Sequence, residues 1–223
     1  MSVVALLCGS DDLALVPVAL EAAAAFGTEC VALSAADPTQ AQPLLERARS
    51  WGVRRGCNVW TDVLATCDFL AVARVIAAAV GNLGALPSLV LAGHGRRGAV
   101  PAALADLLSC PYLGSVVQLS VEEEGLVLVR DAGRALQHYR RSGACVVGLR
   151  PSGLSAVEAP KREVTGEIVH WTLSEIGLSE AEISYRRRFR AQPCERAPFP
   201  SVPLSLAELR QRLTAEGLAR EGT

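Results

Sequence analysis

The feature that most constrains the fold is the regular alternation of short apolar runs with longer alanine- and leucine-rich stretches, which continues to about residue 110. The runs are rich in valine and leucine, and the stretches between them have the length of ordinary helices. This alternation is typical of parallel strands that are buried on both faces and connected by helices. The sequence therefore predicts a doubly wound α/β domain with a mostly parallel sheet.

Glycine and proline mark the boundaries of the predicted elements. Gly27 is expected to stop the first helix, and Pro38 suits the first turn of the second helix. The predicted strands are 3–8, 30–34, 56–60 and 88–92, and the predicted helices are 13–26, 39–51, 69–80 and 100–108.

The rhythm changes after Pro111. Residues 113–121 and 126–130 flank a polar turn and predict an antiparallel hairpin, and 144–149 predicts a further strand that extends the sheet. Residues 179–203 are rich in arginine and proline and predict an extended arm, followed by a capped amphipathic helix at 205–217. We therefore expect an α/β domain over 1–178 and a C-terminal arm with its terminal helix over 179–223.

Charge and hydropathy narrow the possible functions. The chain has 22 Lys and Arg residues and 23 Asp and Glu residues, so its net charge is −1. A nucleic-acid binder, in contrast, needs a basic patch to neutralise phosphates. The N-terminal run lacks the positive segment of a signal peptide, and Arg74 interrupts the apolar stretch 71–80. The expectation is a cytoplasmic protein without nucleic-acid binding or direct membrane insertion.

The residues that usually carry chemistry do not form a catalytic or metal-binding pattern. The seven cysteines are an odd number and none are paired at zinc or redox spacing, so no metal site or disulfide framework is expected. No nucleophile elbow, paired-histidine motif or kinase set is present. This combination predicts no catalytic residues and favours a binding or carrier subunit whose chemistry belongs to a cofactor.

The best candidate for ligand binding is the glycine-rich loop Gly93-His94-Gly95-Arg96-Arg97-Gly98-Ala99, which lies between a predicted strand and a predicted helix. Ligands of open parallel sheets bind beyond the carboxyl ends of the strands. The glycines would let backbone amides approach a phosphate at the helix start, and Arg96 and Arg97 could add bidentate contacts. In the alternative interpretation the glycines only turn the chain, the arginines are solvated and His94 is an ordinary loop histidine.

In the order of its elements the chain resembles the β subunit of electron-transfer flavoprotein. The similarity lies in 31–34 through 45–53, in 89–93 through the helix ending Leu107-Leu108-Ser109-Cys110-Pro111, in the hairpin 116–130, in Cys145-Val146-Val147-Gly148-Leu149-Arg150, and in the capped terminal helix. The resemblance implies an adenine-nucleotide α-hydrolase-like fold. It also implies a heterodimer with an α subunit that holds FAD, and electron transfer from a dehydrogenase toward a quinone reductase.

In that family the loops of the β subunit hold AMP, or a second FAD. Carried over, this site falls on twelve positions at the strand ends: Cys8, Gly9, Ser34, Ala35, Gly93, His94, Gly95, Arg96, Arg97, Gly98, Ala99 and Val100. Two segments depart from the family pattern. The loop after the fourth strand is shorter and lacks the family's "NQTG", and Ser10-Asp11-Asp12 replaces its "NPxD" segment. A different or more phosphorylated ligand, or an empty pocket, is the alternative to AMP.

The resemblance also indicates partner-docking positions. The family's docking loop corresponds to Val157-Glu158-Ala159-Pro160, where Glu158 replaces an apolar anchor, and this departure favours a divergent member with a dedicated dehydrogenase. Phe189 and Phe199 would anchor the arm on the α subunit; the alternative is a solvated arm. The competing function is a stand-alone nucleotide-binding regulator similar to universal stress proteins, which usually lack the hairpin and the arm.

Overall fold

The computed structural model describes residues 2–93, 99–122, 125–150 and 166–184. The strands are β1 Ser2–Leu6, β2 Glu29–Ser34, β3 Arg55–Val59, β4 Leu89–Gly93, β5 Tyr112–Glu122, β6 Gly125–Asp131, β7 Leu136–Arg141, β8 Cys145–Leu149 and β9 Glu167–Trp171. The helices are α1 Leu15–Ala25, α2 Pro38–Ser50, α3 Phe69–Asn82, α4 Ala99–Leu107 and α5 Glu180–Ile183. Short 3-10 helices occupy Ser10–Ala14, Asp62–Thr66 and Ser174–Ile176.

The nine described strands form one sheet in the order β7-β6-β5-β8-β4-β1-β2-β3-β9. All pairings from β5 to β9 along this order are parallel, whereas β6 pairs antiparallel with both β5 and β7. The predicted hairpin is therefore present as β5 and β6, and the predicted strand 144–149 is present as β8, inserted between β4 and β5. The expectation of a mostly parallel α/β sheet with an antiparallel extension is confirmed.

Two apolar cores lie on opposite faces of the sheet. Val4 and Leu6 of β1 pack with α3 and α4 on one face, whereas Val3 and Ala5 pack with α1 and α2 on the other. Every residue of β1 is buried because alternate side chains enter opposite cores. The sequence showed this as a continuous apolar run, and the double burial confirms the doubly wound arrangement.

The start of the first helix differs from the sequence prediction. Residues 10–14 form a 3-10 helix, and the α-helix begins only at Leu15. At its other end Gly27 adopts a φ of +62° just after α1, the left-handed conformation that glycine accepts without strain. The end of α1 was therefore predicted correctly. Its start was not, because a local side-chain contact organises residues 8–12.

The segment after residue 178 begins with a short helix that packs against α3. Glu180–Ile183 forms the short helix α5 and contacts α3, and the Ile183 side chain is only 1% exposed. Every described residue belongs to a unit that spans Met1–Arg186. The predicted boundary at residues 178 and 179 stays a prediction, since most of the arm lies outside the described residues.

Candidate functional site

The carboxyl edge of the sheet contains a topological switch point between β1 and β4. The chain passes from β1 to β2 and β3 on one side, and then crosses to place β4 on the other side of β1. The helices that follow β1 and β4, α1 and α4, therefore lie on opposite faces of the sheet, and ligands of such sheets bind in the crevice at such a point. The described residues at this crevice are the loop Cys8 to Asp12 and Gly93 at the end of β4.

Asp12 organises the β1 side of the crevice. Its Oδ2 accepts hydrogen bonds from the backbone amides of Cys8 at 2.8 Å and Gly9 at 3.1 Å. These amides immediately follow β1 and precede the 3-10 helix, where free N–H groups would attract an anion. The carboxylate of Asp12 thus occupies the position at these two amides that a bound anion would otherwise take.

The carboxylate of Asp12 lies in an environment that opposes its charge. Burial raises the pKa of Asp12 above its ordinary value, and the nearby charge of Asp11 raises it further, whereas the amides of Cys8 and Gly9 act in the opposite direction. No ion pair joins Asp12 to a cationic side chain within the part of the chain that the structure describes. Among the described residues, the partners of the carboxylate are therefore the backbone amides of Cys8 and Gly9.

Gly93 allows the two sides of the crevice to approach each other. A Cβ atom added at Gly93 would collide with Oδ1 of Asp12 and come within 3.1 Å of its Cγ. Only glycine leaves room for the carboxylate at this strand end. A nucleotide phosphate therefore does not fit at the Cys8 and Gly9 amides while Asp12 occupies them.

The ends of β2 and β3 form the wall beside the crevice. Ser34 and Asn58 are paired in register, and both are only 1% exposed. Asn58 Nδ2 donates to the carbonyl of Ala36 at 3.2 Å, which fixes the turn between β2 and α2. Neither Ser34 Oγ nor Asn58 Oδ1 has a hydrogen-bond partner among the described residues.

Aspartates also occupy the starts of the next two helices at this edge. Asp37 accepts from the amide of Thr39 at 2.8 Å at the start of α2, and Asp68 accepts from the amide of Ala71 at 2.9 Å at the start of α3. The hydroxyl of Thr39, and then its amide, hold the pKa of Asp37 below its usual value. These helix starts are therefore already capped by negative side chains.

The structure assigns different surroundings to the predicted site residues. Cys8 is exposed and Gly9 half-buried in the β1 loop, whereas Ser34 and Ala35 are buried in the wall. At the start of α4 Ala99 is exposed, and the buried Val100 packs in the core. Eleven predicted positions lie outside the described residues: His94, Gly95, Arg96, Arg97, Gly98, Val157, Glu158, Ala159, Pro160, Phe189 and Phe199.

Sequence reasoning missed Asp12 and Asn58. Asp12 was placed in a strand-to-helix loop and in the segment that replaces the family's NPxD motif, but it was given no binding role, and Asn58 was treated as part of a predicted strand. Two signals were present: an acidic pair directly after the glycine of a strand-to-helix loop, and a lone amide inside the run Gly56 to Trp60. Either signal indicates a site residue only once it is known which strand end lies beside it in the fold.

The buried thiols do not offer reactive groups. Burial raises the pKa of Cys30 and Cys57 to about 12 and that of Cys145 to about 11, so these thiols stay protonated at neutral pH. Within the described ranges, no group of three or more His, Cys, Asp or Glu side chains is arranged to hold a metal ion. A helix long and apolar enough to cross a membrane is likewise not found in the part of the chain that is described.

The arrangement described above defines a class: α/β proteins with a doubly wound sheet and a topological switch point between β1 and β4. Comparison with known proteins identifies the family within this class. Residues 4–176 match the model of the electron transfer flavoprotein domain. The chain therefore belongs to the electron transfer flavoprotein family.

The curated relatives indicate a divergent member. The chain is 27% identical, over 176 residues, to proteins named electron transfer flavoprotein subunit beta from Mycobacterium bovis and from two strains of Mycobacterium tuberculosis. The similarity covers 73% of this chain and 64% of each relative, so the chain spans less than two thirds of the length of these relatives. The family resemblance inferred from the sequence is thus confirmed.

Proposed function

We propose that this chain is the β subunit of an electron transfer flavoprotein. It would pair with an α subunit that carries FAD, and the pair would pass electrons from a dehydrogenase toward a quinone reductase. The observation that carries the proposal is the family match over residues 4–176, which runs from β1 to the 3-10 helix Ser174–Ile176. The curated relatives named as β subunits support the assignment to this subunit.

The site chemistry is consistent with a carrier role. The buried thiols of Cys30, Cys57 and Cys145 are protonated, and Asp12 is held by backbone amides at the place where a ligand would bind. When bound to the partner, the flavin would supply the redox chemistry. The task of this chain would be to provide a stable wall beside the flavin and a docking surface for the α subunit. A cytoplasmic location stays a prediction.

Co-purification tests the proposal. The full chain is expressed alone and together with the neighbouring open reading frame, as a candidate α subunit, and both preparations are examined by visible absorption and by mass spectrometry of released small molecules. We expect a heterodimer with stoichiometric FAD, and little or no flavin on the chain alone. A colourless homodimer that retains ATP or AMP and does not bind the candidate α subunit would contradict the proposal. That result would favour the stand-alone nucleotide-binding regulator.

The C-terminal arm provides a second test of the same proposal. We predict that ending the chain after Arg186, the last residue of the unit that contains all the described residues, weakens binding to the α subunit at least tenfold, about 1.4 kcal/mol. This cut keeps the buried Ile183, whereas a cut before Ser179 would also remove part of the core. Affinity is measured by titrating the truncated and full chains with the α subunit.

The two anchor residues of the arm give the matched variants. Phe189→Ala and Phe199→Ala in the full chain should each account for part of the loss, because aromatic side chains at an interface carry a large share of its binding free energy. Unchanged affinity after truncation, with thermal unfolding also unchanged, would show that the arm is not part of the interface.

A further inference from the structure

Strand β7 forms one end of the sheet, and its outer side has no strand partner among the described residues. It pairs with β6 on its inner side, and all six of its residues are exposed. A sheet edge of this length is a template for a further strand, and proteins usually cover or blunt it. β7 is therefore a surface at which an extended segment can add to the sheet.

The hairpin geometry shows which backbone groups of β7 face outward. At the turn, the amide of Ala132 donates to the carbonyl of Ala135 at 3.0 Å, so these residues form a hydrogen-bonded pair. Hydrogen-bonded and non-bonded pairs alternate along antiparallel strands. In the observed register, the β7 residues that bond to β6 are Gln137, Tyr139 and Arg141. Those with backbone N–H and C=O groups directed outward, which we call the open edge of β7, are Leu136, His138 and Arg140.

The side chains of β7 have the composition of a protein interface. Leu136 is 62% exposed and Tyr139 is 37% exposed, and both are large apolar side chains. They lie on opposite faces of the strand, because they are three residues apart. Tyrosine and arginine, which also occurs twice in β7, are enriched at interfaces. An added strand would therefore cover apolar surface on both faces of the sheet.

The charge of this edge is positive. The sequence from Ala132 to Ala144 contains no acidic residue, and its basic residues are Arg134, His138, Arg140 and Arg141. Arg140 is paired with Glu122 at 3.1 Å, whereas Arg134 and Arg141 have no ion pair within the described part of the chain. A second copy of β7 would bring the same positive charges. A strand that carries carboxylates complements them instead.

We propose that an extended acidic segment of the α subunit pairs with the open edge of β7 and continues the sheet. The inference rests on the proposed function, in which the chain forms a heterodimer. A permanently bound subunit fits this edge better than a transient redox partner, because an exposed edge strand is open to aggregation in every molecule that lacks its cover. The carboxylates of the added strand would lie beside the arginines of β7 and its turn.

Backbone pairing predicts an alternating pattern of hydrogen exchange. The full chain is compared alone and in the heterodimer by residue-resolved amide exchange. In the chain alone, the amides of Leu136, His138 and Arg140 should exchange fast, whereas those of Gln137, Tyr139 and Arg141 are protected by β6. In the heterodimer we expect the three outward amides to exchange at least tenfold more slowly than in the chain alone. Contacts made by side chains only would not remove the alternation.

A pair of substitutions at His138 isolates the backbone contribution. His138→Pro removes one outward amide and leaves the bonds to β6 in place, since proline is tolerated on an edge strand where the N–H faces outward. His138→Thr is the matched control, because it removes the same imidazole and keeps the amide. We expect His138→Pro to bind the α subunit at least tenfold more weakly than the native chain, and His138→Thr to stay within about threefold of it.

A second pair of substitutions tests the charge. Arg141→Glu should weaken binding of the α subunit about fivefold or more at low salt, and the difference from the native chain should shrink as the salt concentration rises. Arg54→Glu makes the same charge change at an exposed residue just before β3, far from β7 in the strand order, and should bind as the native chain does. Circular dichroism and thermal unfolding of each variant confirm that the fold is intact.

Three results would overturn this proposal and leave the proposed function standing. In the first, the heterodimer forms with FAD, His138→Pro binds as tightly as His138→Thr, and the outward amides exchange as in the chain alone. In the second, these amides are already protected in the monomeric chain, so that the chain itself covers the edge. In the third, light scattering shows that the chain alone is a dimer and that His138→Pro is a monomer, so that the partner is a second copy. A native chain that forms no heterodimer would instead contradict the proposed function, and this inference with it.

Discussion

Ile183→Ala in the full chain is expected to lower the free energy of unfolding by about 2–4 kcal/mol. Ile183 is 1% exposed and belongs to the same apolar core as α3 and α4, although it lies at the end of the short helix α5. A four-residue helix has almost no stability of its own, so its position depends on tertiary contacts. The measurement is urea unfolding monitored by circular dichroism.

Polar contacts around α5 do not replace this anchor. Arg74 Nη1 donates to the carbonyl of Glu182 at 3.0 Å, and Thr61 Oγ1 donates to Glu180 Oε1 at 3.0 Å, and both contacts are exposed. Exposed hydrogen bonds contribute less than about 1 kcal/mol each because water competes for the same groups. We therefore expect amide hydrogen exchange in residues 180–184 to accelerate most strongly when Ile183 is truncated.

Ile183→Val is the matched control. It removes one methylene group instead of three carbons, so it should cost only about 1 kcal/mol and leave exchange in α5 close to native. Equal and small effects of both variants would mean that α5 does not anchor the chain before the arm. The effect of the truncation after Arg186 would then have to be interpreted without assuming that α5 anchors the start of the arm.

The parallel part of the fold was predictable because burial on both faces leaves a visible pattern. The predicted strand 30–34 is Glu29–Ser34 in the structure, and the predicted helix 69–80 is Phe69–Asn82. Strands β7 and β9 were not predicted. Every residue of β7 is exposed, so its sequence shows no apolar alternation, and its position depends on backbone pairing with β6. Edge strands of this kind carry little information in their side chains.

The geometry at the switch point was predictable only in part, and the ligand-binding role of its residues stays a prediction. Topology alone directed attention to the loops that contain Cys8, Gly9 and Gly93, and these residues do meet at the switch point. The decisive side chain, Asp12, could not be found in this way because its role depends on the approach of β4, which lies about 80 residues further along the chain. The role of Asn58 could not be predicted for the same reason, because its hydrogen-bond partner is the carbonyl of Ala36 on a neighbouring loop.

Asn58→Asp is expected to destabilise the chain by roughly 3 kcal/mol at pH 7, with a smaller effect at pH 4. Asn58 Nδ2 donates to the carbonyl of Ala36, so an aspartate would place a carboxylate oxygen against a carbonyl oxygen in a site that is 1% exposed. The protonated acid can still donate to Ala36, whereas the ionised form cannot. The neutral form is therefore preferred in the folded state.

The sign of the pH dependence follows from this preference. The folded-state pKa of the new acid lies above its unfolded value of about 3.9, so the folded state binds more protons between the two values. Stability is then lost as the pH rises from about 4 through the raised pKa, by up to about 1.4 kcal/mol for each pH unit in that window. The quantity to measure is the difference between variant and native free energies of unfolding across this range.

Asn82→Asp is the matched control because it introduces the same charge at an exposed position near the end of α3. Its cost should stay below about 1 kcal/mol, since only the helix dipole and solvated charges oppose it, and it should change little with pH. Parallel pH profiles for the two variants would mean that water reaches Asn58. The wall formed by β2 and β3 would then be open at the crevice, and the Asn58 contact with Ala36 would not hold the loop beside the ligand site in place.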